Sequence, residues 1–231
     1  MNCLLIILGE SFRTGSQETR VRGNESAYPE QMEACNSHIK FIEHLNDKYN
    51  ISTNVSLITY TTQYDNELRE KYNNYLVKSE FYNEVIGLHN LFHKGYENID
   101  TSKYDFIFYF RIDLFFKDLF LDVFNPSWNV IKFPSICWKK DSLVGDKPRV
   151  GDVMLFVPKK YFDYLNKIQL SHNVWYDLIV YHLLQNKDLG VMIDTFHDSD
   201  TEKDYNPIYY FVNRPRTDVW HSEGMIFTQP E

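Results

Sequence analysis

The residues best suited to chemistry are a cation and a carboxylate two positions apart, Arg111 and Asp113. They close the most apolar run of the chain, Tyr104-Asp105-Phe106-Ile107-Phe108-Tyr109-Phe110-Arg111-Ile112-Asp113-Leu114-Phe115-Phe116. In extended backbone such residues project to the same side, so Arg111 and Asp113 face together while Ile112 turns away. A carboxylate there can hold a hard divalent ion whose remaining positions go to water and a diphosphate, and a neighbouring guanidinium can neutralise phosphate oxygens. The bland alternative is a strand-end salt bridge.

Three further groups stand beside this pair. After the first apolar run, Leu4 to Leu8, comes a long polar loop with Gly9, Arg13, Gly15, Arg20, Arg22 and Gly23, whose amides and guanidiniums can converge on an anion. Its spacing is neither that of a P-loop nor the Gly-x-Gly-x-x-Gly of a dinucleotide fold, and a solvated loop is the competing reading. Asp194-Thr195-Phe196-His197-Asp198-Ser199-Asp200 is the densest cluster of oxygen and imidazole donors. It reads either as a solvated acidic turn or as a strand-end loop supplying His197 or an Asp to a metal at Asp113. Asp152 follows Gly151 at the head of another apolar run, where a Gly-Asp pair by itself marks a turn. His89 and His93 share a helix face but lack a third ligand nearby, which argues against zinc.

The elements that must position these groups follow from periodicity. Phe106 to Phe110 is apolar without alternation and rich in β-formers, as in a strand buried on both faces of a mostly parallel sheet. Ligand crevices in such sheets lie beyond the carboxyl ends of the strands, which is where Arg111 and Asp113 fall. Leu4 to Leu8 and Val55 to Tyr60 read as further strands. Pro29-Glu30 opens a helix running to about Tyr49, with Met32, Cys35, Ile39, Ile42 and Leu45 as its core stripe and His38 at its boundary. Asn66 to Leu76 reads as a surface helix and Phe81 to Ile99 as a stronger one. The first half is thus strand, helix, strand, helix, helix, strand, with a polar aromatic crossover at Thr61 to Asp65 where a base or ribose fits.

Beyond Asp113 the pattern changes. Lys117 to Leu121 and Trp128 to Phe133 read as short strands, Lys139 to Val150 as a polar lid, and Gly151 to Pro158 as a strand followed by a helix to about Ile168. His172 to Gln185 reads as a helix, Leu189 to Ile193 as the last strand, and the tail with Tyr209-Tyr210-Phe211 as a packed cover.

The 231 residues suit a single domain, residues 1–114 forming a nucleotide-binding type of half and 115–231 the remainder with its cover. Hydrophobic residues make up 43%, and Tyr and Phe number 17 each, which excludes a largely disordered chain. A net charge of −8 speaks against nucleic-acid binding, which needs a basic face, but leaves room for a local anion pocket. The three cysteines, Cys3, Cys35 and Cys137, lack metal-ligand spacing and read as free thiols of a reducing compartment, hence a cytoplasmic location. No run reaches transmembrane length. The abundance of Asn, Lys, Tyr, Phe and Ile hints at an AT-rich genome such as that of a large virus or a parasite; for a virus the compartment would be the host cytoplasm.

At Tyr104 to Leu114 and Gly151 to Phe162 the sequence resembles small glycosyltransferases of the GT-A type. That resemblance implies an α/β fold with a mostly parallel central sheet flanked by helices, a Rossmann-like first half and an irregular acceptor-side second half. It implies a nucleoside-diphosphate sugar as donor and a glycan or other small acceptor. The Asp-x-Asp triplet that holds Mn²⁺ or Mg²⁺ in those enzymes reads Arg111-Ile112-Asp113 here, similar to the Arg-x-Asp form of some polysaccharide-synthesis transferases. The resemblance implies a metal role for Asp113, a phosphate role for Arg111 and an acceptor or base role for Asp152. The first loop has no matching motif, and its own residues add Arg13, Arg20 and Gly9 as phosphate candidates, as the acidic cluster adds His197 for the metal. The competing readings are a metal-dependent nucleotidyltransferase and a non-catalytic carbohydrate- or nucleotide-binding module. A serine hydrolase is disfavoured by the lack of a Gly-x-Ser-x-Gly elbow.

Overall fold

The computed structural model describes residues 1–15, 20–133, 143–144, 147–148, 153–167, 191–193 and 209–212. In chain order the elements are β1 (Asn2–Gly9), α1 (Tyr28–Tyr49), β2 (Ser52–Tyr60), α2 (Asp65–Tyr72), β3 (Leu76–Tyr82), α3 (Leu88–Tyr96) and β4 (Phe106–Arg111). They continue with β5 (Leu114–Phe116), α4 (Asp118–Val123), β6 (Ile131–Phe133), the two-residue strands β7 (Leu143–Val144) and β8 (Lys147–Pro148), β9 (Met154–Pro158), α5 (Phe162–Lys167), β10 (Val191–Ile193) and β11 (Tyr209–Phe211).

The main sheet has seven strands in the order β10-β6-β9-β4-β1-β2-β3. β4 therefore takes the middle place, and all six of its residues are buried, as a run without alternation requires. β1 to β4 are mutually parallel, β9 runs antiparallel to both β4 and β6, and β10 is parallel to β6. The sheet is covered on both faces. Leu5 and Ile7 of β1 share a core with Phe108 and Phe110 of β4, Phe41 of α1 and Tyr72 of α2. Leu4, Ile6 and Leu8 point the other way, toward Phe92 and Tyr96 of α3 and Leu165 of α5. α1 starts with Pro29 in its first turn and stops at Asn50, whose left-handed backbone (φ 53°) turns the chain so that the Ile51 N–H reaches the Leu45 carbonyl.

Three elements differ from the sequence expectation. The expected helix from Asn66 ends at Tyr72 and that from Phe81 begins only at Leu88, because β3 lies between them. β3 is the last strand of the sheet, its side chains are nearly all half-exposed, and it is held by pairing with β2, so neither burial nor alternation marks it. The expected strand Lys117 to Leu121 is instead α4, where Phe116, Phe120 and Phe124 recur every four residues and pack, with ring centroids 4.2 Å apart for the first pair and 5.8 Å for the second. The tail returns as β11, antiparallel to β5. His38, expected at a boundary, is fully buried. The expected lid (apart from β7 and β8), the helix His172 to Gln185 and Cys137 lie outside the described residues. No helix among the described residues is long and apolar enough to cross a membrane.

Candidate functional site

The strand order places the site. From β1 the chain steps outward to β2 and β3, then crosses back to the other side of β1 for β4, so the connections leaving β1 and β4 diverge. A crevice at the carboxyl ends of two adjacent parallel strands follows from that reversal. Leu8 of β1 pairs with Arg111 of β4, which brings the Gly9 loop and the Arg111-Ile112-Asp113 triplet to the same edge.

The triplet does what its spacing predicts. The Arg111 Nε and one terminal nitrogen each donate to a different Asp113 oxygen, both at 2.9 Å, a bidentate pair that fixes the plane of the guanidinium. Arg111 is 9% and Asp113 2% exposed, so the pair is desolvated. The backbone locks it in place: Ile112 N–H donates to Leu8 O at 2.8 Å, Arg111 N–H to Val153 O at 3.2 Å, and Val212 N–H to Asp113 O at 2.9 Å. The strand-end salt bridge is thus formed, and it sits where a ligand crevice belongs.

The β1 loop faces it. Gly9 leaves the strand at φ 120°, a conformation that suits only glycine, and its carbonyl accepts from the Thr59 hydroxyl at 2.7 Å. Glu10, 6% exposed, is ion-paired with Arg13 at 3.2 Å and accepts from Arg20 at 3.2 Å. Arg13 is 8% exposed and lies within the electrostatic reach of both Asp113 and Arg111. Burial draws its guanidinium below the ordinary arginine value, Glu10 and then Asp113 oppose that, and Arg111 and Arg20 add to it. The Arg13 Nε is buried without a hydrogen-bond partner among the described residues. Thr14 and Val21 close the loop as an antiparallel bridge, and Arg22 lies 4.7 Å over the Tyr60 ring, on the side of β2.

Two polar residues of α1, in phase with its apolar stripe, tie these parts together. The Gln31 amide, 1% exposed, donates to Ile112 O at 2.8 Å while its oxygen accepts from Phe12 N–H at 3.1 Å, so one side chain joins the β1 loop to the β4 triplet. Phe12 is held at φ 49°, uncommon for a residue with a side chain, with its ring against Tyr28 and Tyr64. His38 meets Leu114 O through Nε2 at 2.6 Å and the Tyr72 hydroxyl through Nδ1 at 2.7 Å, which makes it the neutral Nε2–H tautomer with Tyr72 donating. Burial pushes it down to about 4, against the smaller opposing effects of the Leu114 bond and Asp113. Glu10 and Gln31 are the functional candidates that the sequence reading missed. A glutamine at position i of a stripe continued by Cys35, His38 and Ile42 is the signal that marks Gln31, whereas nothing local distinguishes Glu10.

Of the residues expected at the site, the structure assembles Gly9, Arg13, Arg20, Arg111 and Asp113. Asp152 and His197 lie outside the described residues. Among the described residues no three or more His, Cys, Asp or Glu come together as a metal site. Both oxygens of Asp113 are clamped by Arg111, and Glu10 is committed to two arginines. The described donors therefore do not fit a divalent ion in this arrangement, since a hard cation needs several oxygen ligands and is repelled by an adjacent guanidinium.

No protein-family model matches the chain, and no curated protein matches its sequence. Solved structures do match. The mixed sheet flanked by helices is an architecture shared with two solved nucleotide-handling enzymes. A 4-diphosphocytidyl-2C-methyl-D-erythritol synthase from Anaerococcus prevotii aligns over 91% of this chain and 92% of its own at TM-score 0.54 and 11% identity. An inositol-1-phosphate CTP transferase from T. maritima aligns over 92% and 89% at TM-score 0.53 and 12% identity. A Drosophila β-1,4-galactosyltransferase 7 variant, in complex with manganese, UDP-Gal and xylobiose, aligns less closely, at TM-score 0.48 and 12% identity over 91% and 71%. Identities this low establish a common architecture and leave the reaction open.

Proposed function

We propose that the chain is a glycosyltransferase that moves a sugar from a nucleoside-diphosphate sugar to an acceptor hydroxyl, with a glycan as the acceptor class. The observation that supports this best is the buried cluster of Arg13, Arg111, Glu10 and Asp113, with Arg20 beside it, at the carboxyl edge between β1 and β4. In the transfer the acceptor oxygen bonds to the anomeric carbon, the bond from that carbon to the diphosphate oxygen breaks, and its electron pair leaves with the nucleoside diphosphate. Negative charge grows on the diphosphate, so cations fixed beforehand at that position stabilise the transition state more than the ground state. Arg13 and Arg111 are assigned that role, with Arg20 at the rim, and Gly9 lets the loop turn toward the crevice. The acceptor proton goes to a carboxylate base, for which Asp152 is assigned, one residue before the Val153 that Arg111 holds. A Mn²⁺ or Mg²⁺ held by Asp113 and His197, the other expectation, would supply further positive charge to the leaving diphosphate but would sit beside the Arg111 guanidinium.

The second reading is nucleotidyl transfer at the same crevice. It is favoured by one observation: two solved structures that align with TM-scores above 0.5 are named for cytidyl transfer. Product analysis separates the two. Incubation with nucleotide sugars and glycan acceptors, followed by anion-exchange chromatography, yields a free nucleoside diphosphate if the glycosyltransferase reading holds. Release of pyrophosphate from a nucleoside triphosphate and a sugar phosphate, with no nucleoside diphosphate from any nucleotide sugar, would replace it with the second. Ligand binding without either product would leave a carbohydrate- or nucleotide-binding module.

A further inference from the structure

We propose that this crevice handles its diphosphate without a divalent ion, with Asp113 positioning Arg111 and Arg13 supplying a donor to the phosphate. The inference rests on the proposed reading of the crevice as a diphosphate site.

Three observations carry it. First, a carboxylate that serves a metal must offer lone pairs to it, and both Asp113 oxygens are engaged by Arg111 at 2.9 Å in a pair shielded from water. Each oxygen keeps a second lone pair, but a cation taken there would lie beside a buried like charge, the guanidinium that the carboxylate already neutralises. Second, the other carboxylate at this edge, Glu10, is shared between Arg13 and Arg20. Three guanidiniums against two carboxylates leave one positive charge among these five residues, which complements an anion and disfavours a further cation. Third, the Arg13 Nε is a charged group's donor, buried with no partner among the described residues, in a side chain only 8% exposed. Buried donors are nearly always satisfied, and a phosphate oxygen is the acceptor that both the charge and the place call for. The arrangement differs from a metal-carboxylate site in kind: the cation is built into the fold, and the carboxylates orient it.

The role of Asp113 then becomes that of a second layer. It holds the Arg111 fork in one plane, so that removing it disorders a phosphate-facing cation and leaves any metal response unchanged. Gln31, joining the Phe12 amide to the Ile112 carbonyl, fixes the distance between the Arg13 loop and that fork.

The test uses the full chain with inorganic pyrophosphate and with UDP, GDP, CDP and ADP as probes, by titration calorimetry in EDTA and in Mn²⁺, with Mn²⁺ binding followed separately by electron paramagnetic resonance. The expected result is at least one nucleotide bound in EDTA within about threefold of its affinity in Mn²⁺, and no protein-bound Mn²⁺ signal. Arg13→Lys keeps the charge and its carboxylate partner but removes the Nε donor, and is expected to weaken binding in EDTA by about tenfold, the scale of one charge-assisted hydrogen bond. Binding that EDTA abolishes, with a protein-bound Mn²⁺ signal, would overturn the inference and leave the transferase reading standing. Pyrophosphate bound in EDTA with no nucleotide bound would support the arginine site and contradict the nucleotide-sugar reading. No binding of any probe in either medium would overturn both.

Discussion

Replacing Asp113 by asparagine removes one charge and almost no volume, which makes it the cleanest perturbation of the site. Arg111, 9% exposed, cannot turn to water, so it exchanges two hydrogen bonds to a carboxylate for one to an uncharged amide oxygen and loses its counter-charge. Stripping one partner from a buried pair costs about 3–5 kcal/mol, and the retained acceptor puts Asp113→Asn near the lower end, about 3 kcal/mol. The Lys40–Asp118 pair is the internal control: it is shorter, at 2.6 Å, but its side chains are 59% and 86% exposed. Water and salt screen it, and Asp118→Asn should cost less than about 0.5 kcal/mol. Equilibrium unfolding in urea at neutral pH reads both. With a slope of about 2–3 kcal/mol per molar, Asp113→Asn lowers the midpoint by roughly 1 M while Asp118→Asn leaves it nearly unchanged. Added salt should not close the gap, because a buried pair is poorly screened. A loss below about 1 kcal/mol for Asp113→Asn would mean that the pair is hydrated and mobile in solution, and the preorganised guanidinium would go with it.

Other consequences are as specific. His38 is held neutral, with its folded value pushed down to about 4 from the ordinary 6.5, so its contribution is complete above pH 6.5 and is lost as pH falls from there toward 4. That loss amounts to about 3 kcal/mol, and urea midpoints followed from pH 7 to 4 should fall more steeply for the native chain than for His38→Gln; parallel profiles would contradict it. Gly95→Ala should destabilise by about 1–3 kcal/mol although alanine favours helices, because its Cβ would collide with Ile6 Cγ2 in the buried β1; a raised melting temperature would show that β1 and α3 can separate at no cost. Gln31→Leu leaves the Phe12 N–H and the Ile112 carbonyl without their buried partner, and should cost about 2 kcal/mol and weaken nucleotide binding together, whereas lost stability with unchanged binding would dissociate Gln31 from the site.

Much of this architecture is written locally. Phe106 to Phe110 identify the central strand because only a strand covered on both faces tolerates such a run, and the two-residue spacing of Arg111 and Asp113 is enough to predict that they face together. What escaped depends on partners that the local pattern does not name. β3 is a strand because β2 is beside it, and Leu76-Val77-Lys78-Ser79-Glu80 carries no pattern that says so. α4 reads as a strand until Phe116, Phe120 and Phe124 are seen to share one face. Within the site, the arginines of the first loop were visible as charge, but Glu10 as their organiser was not, since its meaning comes from Arg13 and Arg20 closing on it. Gln31 and His38 were legible in principle as polar residues in phase with an apolar helix stripe, a pattern that folding tolerates only when each polar atom finds a partner.

The central claim is that the β1/β4 crevice binds a nucleoside diphosphate, and thermal unfolding of the native chain with UDP, GDP, CDP, ADP and their common sugars tests it most directly. A ligand at a hundred times its dissociation constant adds about 2.7 kcal/mol, which for a chain of this size raises the melting temperature by roughly 5–10 °C. Such a shift is expected for one base, diminished in Arg13→Lys. Melting temperatures unmoved by every nucleotide at millimolar concentration would contradict it.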